Sequence, residues 1–133
     1  MNKYLFLLIA AVLSLFIGGK WNLPLAAWIA PIFFIRFFRE SDKAGRSFLL
    51  MWVASAAASA ISWNGATFFP PAMEIGFFLL MTPISLIPYV IDRLYYRRFG
   101  SAAWPTLVFP IAMTAVDFFS SSGSPFGTFG AMA

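Results

Sequence analysis

The sequence predicts an all-α fold: a polytopic transmembrane helical bundle of about five helices, with four as the smaller count. Three observations predict it. Hydrophobic residues make up 61% of the 133 positions and charged residues 11%, against about 45–50% and about 25% in a soluble domain. The apolar residues fall into five runs separated by charges, prolines and glycines. The basic residues gather at alternate breaks between those runs, as topology signals do. Nine basic and five acidic residues are too few to coat a water-facing surface, which argues against a soluble enzyme, a nucleic-acid-binding module and a disordered tail. The net charge of +4 is therefore read as orientation in a membrane and not as affinity for nucleic acid.

The length suits one transmembrane domain over 1–133, with helices expected near 4–18, 23–38, 48–64, 71–91 and 104–119. A spanning helix needs about 20 mostly apolar residues, so several runs must recruit their flanks. The first run follows Met1-Asn2-Lys3 and has the charged start and short apolar stretch of a signal peptide. No small-x-small cleavage site follows, only Gly18-Gly19-Lys20-Trp21. An uncleaved first helix is expected, with a cleaved signal as the alternative.

Pro24 opens the second run, where a missing N–H costs nothing, and Trp21 and Trp28 flank it as interfacial aromatics do. The run closes on Arg36, Arg39, Glu40, Asp42, Lys43 and Arg46, the densest charge block in the chain. At the centre of the third run, Ala54/Ala58, Ser55/Ser59 and Ala56/Ala60 each have the small-xxx-small spacing that lets membrane helices approach closely. Crowding within one bundle and a dimer face both fit that spacing.

Asn64-Gly65 and Pro70-Pro71 punctuate the next turn. In the fourth run Pro83 and Pro88 each remove a donor and free the carbonyl four residues earlier, on Leu79 and Ile84. Lipid tolerates this only where neighbours re-satisfy the backbone, so a kinked or broken helix is expected. Asp92-Arg93 and Arg97-Arg98 close the run. The fifth carries Pro110 as a kink, and residues 120–133 read as an uncharged external Gly/Ser loop. With the amino-terminus cytoplasmic, inner segments hold Lys3, Arg36, Arg39, Lys43, Arg46, Arg93, Arg97 and Arg98, and outer segments hold only Lys20. That asymmetry sets the expected orientation.

There is no cysteine and no histidine, which removes disulfides, thiolate nucleophiles and imidazole acid–base chemistry. No metal site and no cofactor are expected. Ionisable groups at membrane depth are functional candidates by default, and three qualify. Arg36 lies near a helix end and can snorkel to the interface. Glu74 falls in the first turn after Pro70-Pro71, where a carboxylate meets the positive helix end. Asp117 lies near the end of the fifth run, where the macrodipole disfavours a negative charge, so a compensating partner is expected.

Three stretches in register resemble the amino-terminal membrane domain of the bacterial apolipoprotein N-acyltransferases. They are Pro24-Leu25-Ala26-Ala27-Trp28-Ile29-Ala30-Pro31, Trp104-Pro105-Thr106-Leu107-Val108-Phe109-Pro110, and Gly123-Ser124-Pro125-Phe126-Gly127-Thr128-Phe129-Gly130. The resemblance spans essentially the whole chain. It implies an inner-membrane, multi-pass protein that handles phospholipid in acyl transfer to lipoproteins, with membrane phospholipid and a nitrilase-like catalytic domain or chain as partners. It adds Pro125, Phe126 and Gly127 to Glu74 and Asp117 as lipid or structural candidates. Phe126 stands where that family has Trp, and Asp117 where it commonly has Glu. The family's reaction runs through a cysteine thioester in the nitrilase-like domain, and this chain stops where that domain should begin. The expectation is a truncated or split form, inactive alone because it has no thiol to acylate. The alternative is a small non-enzymatic membrane protein, such as a transport subunit or an assembly factor.

Overall fold

The computed structural model describes residues 2–67, 69–100 and 105–123. Among them every regular element is helical: α1 (Lys3–Ser14), α2 (Pro24–Glu40), α3 (Ala44–Trp63), α4 (Pro71–Ser85), α5 (Ile87–Phe99) and α6 (Pro105–Gly123). Only Leu86 separates α4 from α5, so the two form one interrupted run, Pro71–Phe99, and the helical rods number five. Two of them, Ala44–Trp63 and Pro71–Phe99, are long and apolar enough to cross a membrane. The residues form two compact units, Met1–Pro83 and Ile84–Ala133.

In the first unit α1 and α2 form an antiparallel hairpin. Tyr4 meets Phe37 and Phe6 meets Phe33, with ring centroids 6.4 and 6.2 Å apart. At the far end the Leu23 N–H donates to the Phe16 carbonyl at 2.8 Å. That register puts Ala10 level with Ala30, and both are fully buried. With only a methyl on each side, the two backbones close together there. The opposite face of α2 presents Leu25, Trp28 and Ile32 outward at helical spacing.

The connection between the two helices is latched to α3. Ser62 Oγ donates to the Gly18 carbonyl at 2.7 Å, and the Lys20 N–H donates to the Ser62 carbonyl at 2.9 Å. Gly18 and Gly19 both have positive φ, and a β-carbon at Gly19 would lie 2.4 Å from the Ser62 carbonyl oxygen. The backbone passes so close that only glycine fits. The tight turn also shortens α1. Leu15, Phe16 and Ile17 bond three residues back instead of four, so α1 stops at Ser14 and not at the expected residue 18.

Pro83 releases the Leu79 carbonyl, as the sequence requires, and the structure supplies a donor from outside the helix. The Trp52 indole N–H of α3 reaches that oxygen at 2.9 Å. Trp63 and Phe78 add a ring contact at 6.4 Å, so bulky side chains fill the space between α3 and α4. The expected break in the fourth run falls at Leu86. Beyond it the chain stays helical to Phe99 instead of stopping near 91, because Asp92 and Arg93 are buried side chains on the helix and not a terminus.

In the second unit α5 and α6 pack against each other, with Tyr89 and Phe109 ring centroids 4.8 Å apart. Ser120–Gly123 belong to α6 and not to the expected loop. Serine hydroxyls can bond back to helix carbonyls, and Ser121 Oγ does so to Phe118 at 3.0 Å.

Two outcomes check this account. Gly19→Ala should lower the unfolding midpoint in detergent by an amount equivalent to more than about 1 kcal/mol, read by circular dichroism. Trp52→Phe should cost about 1 kcal/mol, but markedly less on a Pro83→Ala background, where residue 83 supplies the Leu79 carbonyl with its own N–H. Equal costs on the two backgrounds would refute the role given to Trp52.

Candidate functional site

The strongest candidate in the first unit is Glu74. Pro70-Pro71 set the start of α4, and the Glu74 N–H closes the first turn on the Pro70 carbonyl at 3.0 Å. The side chain is 97% buried, being only 3% exposed, and its Oε1 has no hydrogen-bond partner. Phe77 and Phe78 follow at three and four residues, which places them on the same helix face. They join a ring cluster in which Phe77 stacks on Phe69 at 6.0 Å and Phe78 meets Trp63. A carboxyl is thus held beside aromatic surface with one oxygen unused. Thr67 Oγ1, in the segment leading to α4, and Ser55 Oγ of α3 are likewise buried without a partner. Buried orphans of this kind are rare in native folds and usually have a reason.

Arg36 lies one turn before the end of α2. It is exposed, with its guanidinium 5.5 Å from the Phe6 ring centroid.

In the second unit Asp117 is half-buried on α6. Leu107, Ile111, Thr114 and Phe118 belong to an open, mostly apolar face of that helix at helical spacing, and Asp117 is not among its residues. Pro125, Phe126 and Gly127 lie outside the described residues.

The polar face of α5 escaped sequence reading. Tyr89, Asp92, Arg93 and Tyr96 follow the i, i+3, i+4, i+7 pattern of a single helix face. The first three are at most 4% exposed, while Leu94, Tyr95 and Phe99 point outward. Asp92-Arg93 looks like the charged end of a span when read as a dipeptide. The signal that finds it is the polar stripe continued from Tyr89 to Tyr96. Such a face gives the unit a buried acid and base beside two phenols, a set that can hold a polar group inside an apolar shell.

No family model matches the chain, and neither a curated protein nor a solved structure does.

Glu74 can be tested as a group kept for something other than stability. Glu74→Leu should leave the unfolding midpoint in detergent unchanged or raise it, because an orphaned buried oxygen is removed. Glu74→Gln should lower it slightly, by the roughly 0.3–1 kcal/mol of a carboxylate at a helix start. A loss of several kcal/mol in Glu74→Leu would make the residue a structural partner instead.

Proposed function

We propose that the chain is a polytopic membrane domain of the apolipoprotein N-acyltransferase type, a helical scaffold for phospholipid that works with a nitrilase-like catalytic domain. One observation carries the membrane reading: large apolar side chains stand exposed along the helices while three ionisable groups are buried. Trp28, Leu80 and Phe119 are 79%, 73% and 72% exposed, while Asp92, Arg93 and Glu74 are 1–3% exposed. Membrane helices turn their few ionisable groups inward and their large apolar ones outward. The two long apolar helices and the shorter apolar α1 and Leu107–Ser122, together with α2, supply the five crossings. The basic residues place the amino-terminus, the α2–α3 connection and the end of α5 on the cytoplasmic side.

The acyl-transfer part of the proposal is supported by the three sequence stretches in register. The open apolar face of α6 is of the right polarity to lie against an acyl chain. These 133 residues hold no cysteine and so no thiol to form a thioester; the role proposed for them is to position lipid. A second reading, a transport subunit, is favoured by the orphaned Glu74 and the break at Leu86, since transporter sites are built on interrupted helices.

Reporter fusions after Lys43 and after Ala133 should report opposite sides of the membrane; the same side for both would overturn the five-pass topology. In detergent with phospholipid and a lipoprotein peptide, the purified chain should form no acyl-enzyme and no product. Adding a separately expressed nitrilase-like domain should give transfer above the rate of that domain alone. Transfer by the chain alone, or no gain on mixing, would overturn the acyltransferase reading. Proton- or substrate-driven flux in liposomes would establish the transport one.

A further inference from the structure

At the end of the first unit opposite the Gly18–Lys20 latch, three stretches of chain converge on a cleft of about 150 Å³. They are the start of α1, the α2–α3 connection and the first turn of α3. The cleft has a divided character. Its floor includes Phe37, which is 1% exposed, and Leu50. Its rim carries three cations, Lys3, Lys43 and Arg46, against one carboxylate, Asp42. Asp42 holds Lys3 by an ion pair of 3.2 Å on the exposed side of the rim. Among the described residues no carboxylate pairs with Lys43 or Arg46, so the rim keeps an uncompensated positive charge.

The backbone adds to this. Ala44, Gly45 and Arg46 open α3, and the first N–H groups of a helix have no partner within it. Lys43 at the cap position offers no acceptor, and the first turn holds no acidic residue. Beside the cleft the space around Gly45 is empty to 4 Å where a β-carbon would stand, so the start of α3 is open next to the lining residues Lys43 and Arg46. The two buried hydroxyls of the cleft are committed elsewhere: Ser41 Oγ donates to the Phe37 carbonyl at 2.6 Å and Ser47 Oγ to the Lys43 carbonyl at 2.9 Å. Recognition would therefore rest on cations and main-chain donors over an apolar floor. At about 30 Å³ per water, the cleft has room for about five, enough for a phosphate group.

We infer that this cleft is a binding site for a phosphate-bearing anion, either the phosphodiester headgroup of an anionic lipid or a free phosphate. The apolar floor suits the glycerol end of a lipid, and basic pockets between membrane helices on the cytoplasmic side do bind anionic headgroups. The lipid source rests on the membrane reading above; the free-phosphate source does not.

The test uses the full chain in a zwitterionic detergent, followed by its unfolding midpoint. One arm titrates short-chain phosphatidylglycerol against phosphatidylcholine, and the other titrates inorganic phosphate against chloride at matched ionic strength. A saturable rise with phosphatidylglycerol alone assigns the site to a headgroup, and a comparable rise with inorganic phosphate assigns it to the free anion. In either case Lys43→Gln/Arg46→Gln should weaken binding about tenfold to thirtyfold. Arg97→Gln/Arg98→Gln, which removes the same charge from the second unit, should leave it unchanged. Asp42→Asn should tighten it, which keeps the site testable should the double variant fail to fold. No saturable rise in either arm, or equal weakening by the two double variants, would overturn the site. Because the arms measure binding in detergent, that failure is separable from failure of the topology, which only the fusions read.

Discussion

The indole N–H of Trp52 on the Leu79 carbonyl is the contact on which the placement of α4 depends. A proline in a helix leaves an oxygen without its donor, and an apolar environment supplies no water to replace it. The chain answers with a side chain from another helix, which binds α4 to α3 at a level fixed by the position of Pro83. The start of α4 follows from that placement. Glu74 lies two and a half turns before Pro83 and is carried into the aromatic cluster of Phe69, Phe77, Phe78 and Trp63. A defect in one helix thus serves as the address at which two helices meet.

The same rule, that polar groups must be answered from within, explains the small hydroxyl side chains. Ser14, Ser41, Ser47, Thr82 and Thr114 each donate to the carbonyl four residues earlier. Each hydroxyl thus has an acceptor within its own turn. Ser62 differs, because its hydroxyl leaves its own helix to hold the Gly18 carbonyl. It joins elements distant in sequence.

The helical class, the five rods and the proline break were legible in the sequence, because runs of apolar residues and the missing proline donor are local properties. The place of Glu74 in the first turn of α4 was legible, because Pro70-Pro71 announce the helix start; its burial was not. The ends were less legible. α1 is cut short by a glycine turn whose need for glycine comes from Ser62, more than forty residues away. α6 runs on through serines that composition alone assigns to a loop. The largest miss was α5, where charge suggested an end and the fold placed an interior. Hydropathy counts how polar a residue is, and only the helical phase says which way it faces.

The shortness of α1 has a consequence of its own. Its twelve residues rise roughly 18 Å at about 1.5 Å each, against about 30 Å for a bilayer interior. The chain turns back at Gly18 and is pinned there, so the rod cannot lengthen. The pin also sets the level of the turn: Ser62 is the last residue but one of α3, so the Gly18–Lys20 turn lies beside the end of that longer rod. At the other end Lys3 and Tyr4 share a cleft with Lys43, Arg46 and Ser47 at the start of α3. The tight stretch after Ser14 and the glycine turn thus make up the height that α1 lacks, and the hairpin is gauged to α3 by a pair of glycines.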